Sequence, residues 1–326
     1  MSKKTFYIIL IIIVVLIVIG ALIWYFAFKP EKAAAPAGGV DFTVPGQVKS
    51  EGNLKVISEG PVLSLSKNNE IISFYDFKGQ LWQLNEAEEK PILANQAPIE
   101  NLSEIIWPKV FSPDGKKIVY QKNNGLFTSD SSGKNQKTLI SDLKIRDIIL
   151  KWPTANNIVL VSKPSGLIAG GLWFLDIRNS SIKKITDYFF GLETLFSPDG
   201  NSFIYSYTDL NGKNPVLAVY DKKGNSKIIS NISTLVDKCA WAKDLIKIYC
   251  AVPKSWPEFA VLPDDYYKNA FLTSDDIWKI NTETGEKTLI AENIGDISNL
   301  LLIENENPSL FFISKENQFL YKLNVK

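Results

Sequence analysis

The chain repeats one pattern six times, and nothing else in it restricts the fold as tightly. An apolar residue is followed by an aromatic, one further residue, a second aliphatic and then Asp or Asn. The copies begin with Leu81-Trp82-Gln83-Leu84-Asn85, Leu126-Phe127-Thr128-Ser129-Asp130 and Leu172-Trp173-Phe174-Leu175-Asp176. They continue with Leu217-Ala218-Val219-Tyr220-Asp221, Ile277-Trp278-Lys279-Ile280-Asn281 and Leu320-Tyr321-Lys322-Leu323-Asn324. Their second positions are 45, 46, 45, 60 and 43 residues apart. Ser129 and Tyr220 depart from the second aliphatic, and Ala218 from the aromatic. A near-constant period of this size belongs to arrays of small units that bury a core only by packing against their neighbours.

A second motif precedes the copies. Phe111-Ser112-Pro113-Asp114-Gly115 leads into Ile118-Val119-Tyr120, and Phe196-Ser197-Pro198-Asp199-Gly200 leads into Phe203-Ile204-Tyr205. Pro followed by Asp-Gly suits a tight turn, and the β-branched and aromatic flanks predict the two strands of a hairpin. After each aromatic motif except the last comes a turn and a short apolar strand, as at Lys137-Thr138-Leu139-Ile140 and Lys287-Thr288-Leu289-Ile290. Four short strands per repeat are the anatomy of a propeller blade. The predicted fold is all-β, a six-bladed β-propeller of four-stranded blades over residues 53–326. The sixth copy lacks a fourth strand, and residues 54–58 read as the strand that completes it. Closure would pair an otherwise open sheet edge; the alternative is that 54–58 extend the linker.

The Ser-Pro-Asp-Gly turns and the Leu-Trp-x-Leu-Asp strands resemble the TolB-like, WD-repeat-like propeller repeats of bacterial envelope proteins. The resemblance covers residues 54–326 and is strongest in the second and fourth repeats. It implies a six-bladed propeller that serves as a protein-interaction module, with no universal catalytic residues to carry over. Such repeats also accompany prolyl-oligopeptidase-like peptidases, but with no His to build a triad that activity is not expected here.

The N-terminal end has a different character. Residues 6–28 carry no charge, and as a helix they would span roughly 34 Å, enough for a hydrocarbon core of about 30 Å. Trp24 and Tyr25 sit where amphipathic rings favour the interface. A cleavable signal peptide has a shorter apolar core, although Ala33-Ala34-Ala35 resembles a cleavage site. The expectation is a transmembrane signal anchor at 6–28 after a cytoplasmic stub of residues 1–5, N-terminus inside and propeller outside the cytoplasmic membrane. Residues 29–52, with Pro30, Pro36, Pro45 and Gly38-Gly39, read as a linker.

Composition removes several chemistries. The chain has no His and only two Arg, Arg146 and Arg178. That excludes imidazole-based hydrolysis, His-ligated metals, an Arg-triad sialidase and a PQQ dehydrogenase dependent on a catalytic His. Residues 1–40 hold four Lys and one Glu, so the remainder carries 32 basic and 34 acidic residues. A near-neutral body with two Arg is not expected to bind nucleic acid. No cofactor is implied.

Two features remain as candidates for chemistry. Cys239 and Cys250 fall equidistant from a turn near Asp244 and are expected to face each other across a hairpin, either as a disulfide or as buried thiols. The 60-residue spacing marks an insertion, Pro253 to Asp276, between the second and third strands of the fifth repeat. It contains Trp256, Asp264, Asp265, Tyr266, Tyr267, Asp275 and Asp276. The corresponding loops of the third and fourth repeats are also long, so together they are expected to raise a rim on one face. The candidate residues suit a protein or peptide contact. The four Asp could instead bind Ca²⁺ through oxygen, or the insertion could simply pack on its own blade. The leading expectation is a membrane-tethered binding or scaffolding module at the cell envelope, not an enzyme. The alternative is a lactonase-like, metal-dependent hydrolase with carboxylate and Asn ligands in the central channel, although no innermost strand shows an obvious cluster.

Overall fold

The Ser-Pro-Asp-Gly segments form the turns their composition predicts. Gly115 and Gly200 both have φ near +70°, the left-handed region open to glycine. The Ser112 hydroxyl donates to Asp114 Oδ1 at 2.6 Å and Ser197 repeats the bond to Asp199 at the same distance. Each turn joins two neighbouring strands of an antiparallel blade, Val110–Phe111 to Lys117–Lys122 and Phe189–Phe196 to Phe203–Thr208.

A computed structural model describes residues 54–68, 71–84, 90–94 and 110–325. They belong to the second of two compact units, Gly46–Lys326. Among these residues there are six separate sheets, one per repeat. Blade one comprises Val62–Asn68, Ile71–Asp76, Leu81–Leu84 and Ile92–Leu93, and blade two Val110–Phe111, Lys117–Lys122, Gly125–Asp130 and Lys137–Ile140. Blade three comprises Ile148–Lys151, Asn157–Ser162, Leu172–Asp176 and Ser181–Lys184, and blade four Phe189–Phe196, Phe203–Thr208, Val216–Tyr220 and Ser226–Ile228. Blade five comprises Cys239–Trp241, Lys247–Pro253, Asp275–Asn281 and Lys287–Ala291. Blade six has Ile297–Ile303, Ser309–Ser314 and Leu320–Asn324, and its fourth strand is Leu54–Val56, paired antiparallel with Leu54 opposite Leu323. The fold is thus an all-β six-bladed propeller.

The repeated motif is the third strand of each blade, and its residue types follow from packing on both sheet faces. Leu126, Leu172, Leu217, Ile277 and Leu320 are all fully buried, as are Leu175, Ile280 and Leu323 near the other end of the strand. Separate apolar clusters fill the spaces between successive blades from two to six. Another cluster packs blade six on blade one through Leu320, Ile313, Ile72 and Phe74. The Asp that ends the motif acts locally. Asp130 Oδ1 accepts the Lys134 amide at 2.7 Å and Asp221 Oδ1 the Asn225 amide at 2.8 Å, satisfying the turn that follows.

One blade departs from four strands. The long loop after the second strand of blade three lays Ala169–Gly170 along the free edge of Phe189–Phe196, so blade four has five. A Cβ on Gly170 would lie 2.7 Å from that of Ser162, so only glycine permits this approach. The predicted anchor at 6–28 and linker at 29–52 lie outside the described residues. Among the described residues no helix is long and apolar enough to cross a membrane.

Candidate functional site

The blade-five insertion leaves the sheet after Pro253 and returns at Asp275. Between them it forms one short helix, Asp264–Tyr267, and an apolar kernel of Ala260, Leu262 and Tyr266 with Leu235. Trp256 and Phe271 pack on Tyr266 with ring centroids 5.9 and 6.1 Å away, and the Trp256 indole donates to Ser233 O. The insertion also grips the neighbouring blades. Asp264 accepts from the Gly166 amide at 2.6 Å and the Ser165 hydroxyl at 3.1 Å, the Leu262 amide donates to Gly212 O at 2.8 Å, and the Lys315 ammonium to Tyr266 O at 2.6 Å. It therefore joins the long loops of blades three and four, and reaches blade six.

Two of the candidate contact residues are interior. Tyr266 and Asp275 are fully buried, which corrects the expectation of a solvent-facing aromatic and acidic rim. Their burial is made tolerable by Lys238, also fully buried, whose ammonium donates to Asp275 Oδ2 and Asp296 Oδ1 at 2.6 Å each and to Thr273 Oγ1 at 3.2 Å. The Tyr266 hydroxyl donates to Asp296 Oδ1 and to Ile297 O, and Thr273 donates to both carboxylates. Each polar group here has its partners, as a buried ionic cluster requires. Burial still raises the Asp275 carboxyl above its ordinary value, opposed by Lys238, and pushes the Tyr266 phenol well up.

The four Asp do not converge. Asp265 accepts the Val261 amide at 2.8 Å, and Asp276 the Asn293 amide at 2.9 Å with Lys254 at 3.7 Å. Asp264 faces blade three and Asp275 faces Lys238, so they form no common oxygen cage. Among the described residues no group of three or more Cys, Asp or Glu is placed to hold a metal ion. Cys239 and Cys250 are directly opposed in the hairpin and joined by a disulfide, with Cα atoms 4.1 Å apart.

Tyr267, the remaining aromatic candidate, leads to a site that sequence reasoning missed. The residue is 45% exposed, but its hydroxyl turns inward and donates to Glu193 Oε1 at 2.5 Å. Glu193 stands on the first strand of blade four, Lys151 on the first strand of blade three, and Asp237 in the 3-10 turn that enters blade five. Together with Ile149, Val161, Pro164, Leu192, Thr194, Leu195, Val236 and Tyr267 they line a cavity of about 220 Å³. The cavity therefore sits where the first strands of blades three and four meet the turn that enters blade five. Burial pushes the Glu193 carboxyl up to about 8, although Tyr267, Lys151 and Ser206 pull the other way. Burial likewise brings Lys151 down to about 8 and raises Asp237. The available signal was a lone charge inside each apolar segment: Glu193 in Phe-Phe-Gly-Leu-Glu-Thr-Leu-Phe, Lys151 in Ile-Ile-Leu-Lys.

No family model matches the chain, and no curated protein matches it. Among solved structures it is similar to TolB from Acinetobacter baumannii, at 17% identity, covering 76% of this chain and 60% of that one, with a TM-score of 0.40. It is also similar to an oligogalacturonate lyase in complex with manganese (12% identity, 82% and 78% covered, TM-score 0.49) and to a luciferin-regenerating enzyme (12%, 85% and 94%, TM-score 0.44). The chain spans about 60% of the length of that TolB. Likenesses of this size carry no argument about what the chain binds or catalyses.

Proposed function

We propose that this chain is a protein-binding or scaffolding module, tethered by residues 6–28 and displayed at the outer face of a cytoplasmic membrane. The observation that carries the reading is an apolar display on one face. Leu167, Ile168, Leu210, Phe259 and Leu272 are 68, 71, 72, 69 and 53% exposed, and all lie on the three long loops that hydrogen-bond to one another. Exposed apolar side chains grouped on a rigid support mark a surface that a partner covers. The partner is a protein or peptide of the envelope that offers an apolar surface. The uncharged stretch at 6–28 supports the tether, and the Cys239–Cys250 bridge supports an oxidising compartment. The metal-dependent hydrolase reading has no group of three or more Cys, Asp or Glu to rest on among the described residues.

The test is photo-crosslinking of the full chain in its native membrane. A crosslinker at position 210 or 259 is expected to give a discrete protein adduct, and one at Leu245, in the first hairpin turn of blade five, is not. Adducts from neither loop position, or equally from all three, overturn the reading.

A further inference from the structure

Two buried clusters of opposite charge sit beside the insertion, and they differ in one respect. Around Lys238 all three ammonium donors and all four oxygens of Asp275 and Asp296 are engaged. That cluster is complete and holds the insertion down. Around Glu193 the count does not close. Oε1 takes the Tyr267 hydroxyl, whereas Oε2 is buried without a hydrogen-bond partner, and so is the neighbouring Thr194 hydroxyl. Glu193 as a whole is only 8% exposed. Ser206, its cross-strand neighbour, eases the carboxyl without coming into hydrogen-bond geometry with Oε2. Lys151 donates to Thr194 O, which occupies one of its three donors. Native proteins rarely leave such groups unmet, and those that remain call for an explanation.

Glu193, with its unmet Oε2, and Lys151 line one cavity. Its other lining is aliphatic: Ile149, Val161, Pro164, Leu192, Leu195 and Val236. The half-exposed Ile149 and Tyr267 leave it open to solvent. At about 220 Å³ it is smaller than the roughly 300–1,000 Å³ of drug-sized pockets, so its occupant is compact. Asp237 already accepts the Asn299 amide, so an anion would satisfy Lys151 and leave Glu193 unanswered. A cation would satisfy Glu193 and be repelled by the Lys151 ammonium, which bonds only to a carbonyl, Thr194 O. A small molecule with both charges and an aliphatic body answers Lys151, Glu193 and the aliphatic wall at once.

We propose that this cavity binds a free apolar α-amino acid, its carboxylate on Lys151, its ammonium on Glu193 Oε2, and its side chain against the aliphatic wall. No bond is made or broken; the cavity is a binding site. Tyr267 is a positioning residue in it, since its phenol fixes the Glu193 carboxyl from the insertion side. The inference does not depend on the docking reading, because amino-acid binding and crosslinking of a protein partner are read separately.

The test is calorimetric titration of the full chain in detergent with leucine and valine, beside N-acetyl-leucine and leucinamide. The two derivatives each lack one charge and stand in for the ends of a peptide. Leucine or valine is expected to bind at least tenfold more tightly than either derivative. Glu193→Gln is expected to weaken leucine binding at least tenfold. Ile149→Trp, at a half-exposed wall position, should abolish it with the melting temperature of the unliganded protein unchanged. Absence of binding by both amino acids, binding of a derivative as tight as that of leucine, or unaltered leucine binding by both variants overturns the proposal.

Discussion

The Tyr267 hydroxyl donates to Oε1 of Glu193 across 74 positions of sequence, and through this bond the blade-five insertion touches the first strand of blade four. Its neighbour Tyr266 points the other way, to Asp296 and Ile297 of blade six. Consecutive tyrosines thus divide the insertion between a saturated ionic cluster and an unsaturated cavity, and the two variants should behave differently. Tyr266→Phe removes a buried donor from two acceptors and should cost about 1–3 kcal/mol of unfolding free energy. Tyr267→Phe should cost less and chiefly alter the titration of Glu193. Urea unfolding of both variants at neutral pH checks the order.

Lys238→Met should be among the most damaging single substitutions. It leaves Asp275 and Asp296 buried without their counter-ion, a loss of about 3–5 kcal/mol. The expected result is a lower midpoint of chemical unfolding. A midpoint equal to that of the parent protein would show that the cluster relaxes by taking up water or protons.

Stability should decline as pH rises from about 4.5 to about 8. In the unliganded fold Glu193 keeps its proton up to about 8, against an ordinary 4.5, and an ammonium bound at Oε2 would displace it. Without ligand the folded state therefore holds more protons than the unfolded state in that window. Its contribution is fully present below the unfolded value and is lost at up to about 1.4 kcal/mol per pH unit on the way to the folded one. The groups facing it are Tyr267, Lys151, Asp237 and the Ser206 hydroxyl. Lys151, held near 8 against an ordinary 10.5, acts in the opposite direction and only above that window. Glu193→Gln should flatten the decline, measured as unfolding free energy at pH 5, 6.5 and 8.

Replacing both cysteines by Ala should cost roughly 2–3 kcal/mol, since the bridge closes a short loop of sequence separation 11. Thermal unfolding of the oxidised protein, the reduced protein and the double variant gives the measurement. The reduced and Ala forms should melt lower than the oxidised form, and near one another.

Gly166→Ala should loosen the insertion without unfolding the ring. A Cβ there would stand 2.3 Å from Leu262 O, so the loops of blades three and five could not keep their contact. Faster proteolysis and amide exchange across 254–274 are expected, with the exchange of blades one and two unaltered.

The architecture was legible because it depends on a pattern repeated locally. Leu172 and Leu175 are buried for the same reason as Leu320 and Leu323, and six copies make that reason visible. The insertion was legible as extra length, but not as an interior. Asp275 reads as a surface carboxylate until Lys238, 37 positions away, is brought beside it. Tyr266 reads as an exposed ring until Asp296 receives its hydroxyl. Glu193, Lys151 and Asp237 were harder still, each a single charge on a different blade. Their meeting is a property of the ring, which no one repeat contains.

The seam between Leu54–Val56 and Leu320–Asn324 also sets a timetable. Until Leu320–Asn324 has been synthesised, the strand at Leu54–Val56 has no partner and blade six no outer edge. At roughly 5–20 residues per second, the nascent chain must carry that waiting strand for a time on the order of ten to sixty seconds. An unpaired strand held that long invites pairing with other chains. The exposed, charged side chain of Lys55 on this three-residue strand is a deterrent suited to that interval.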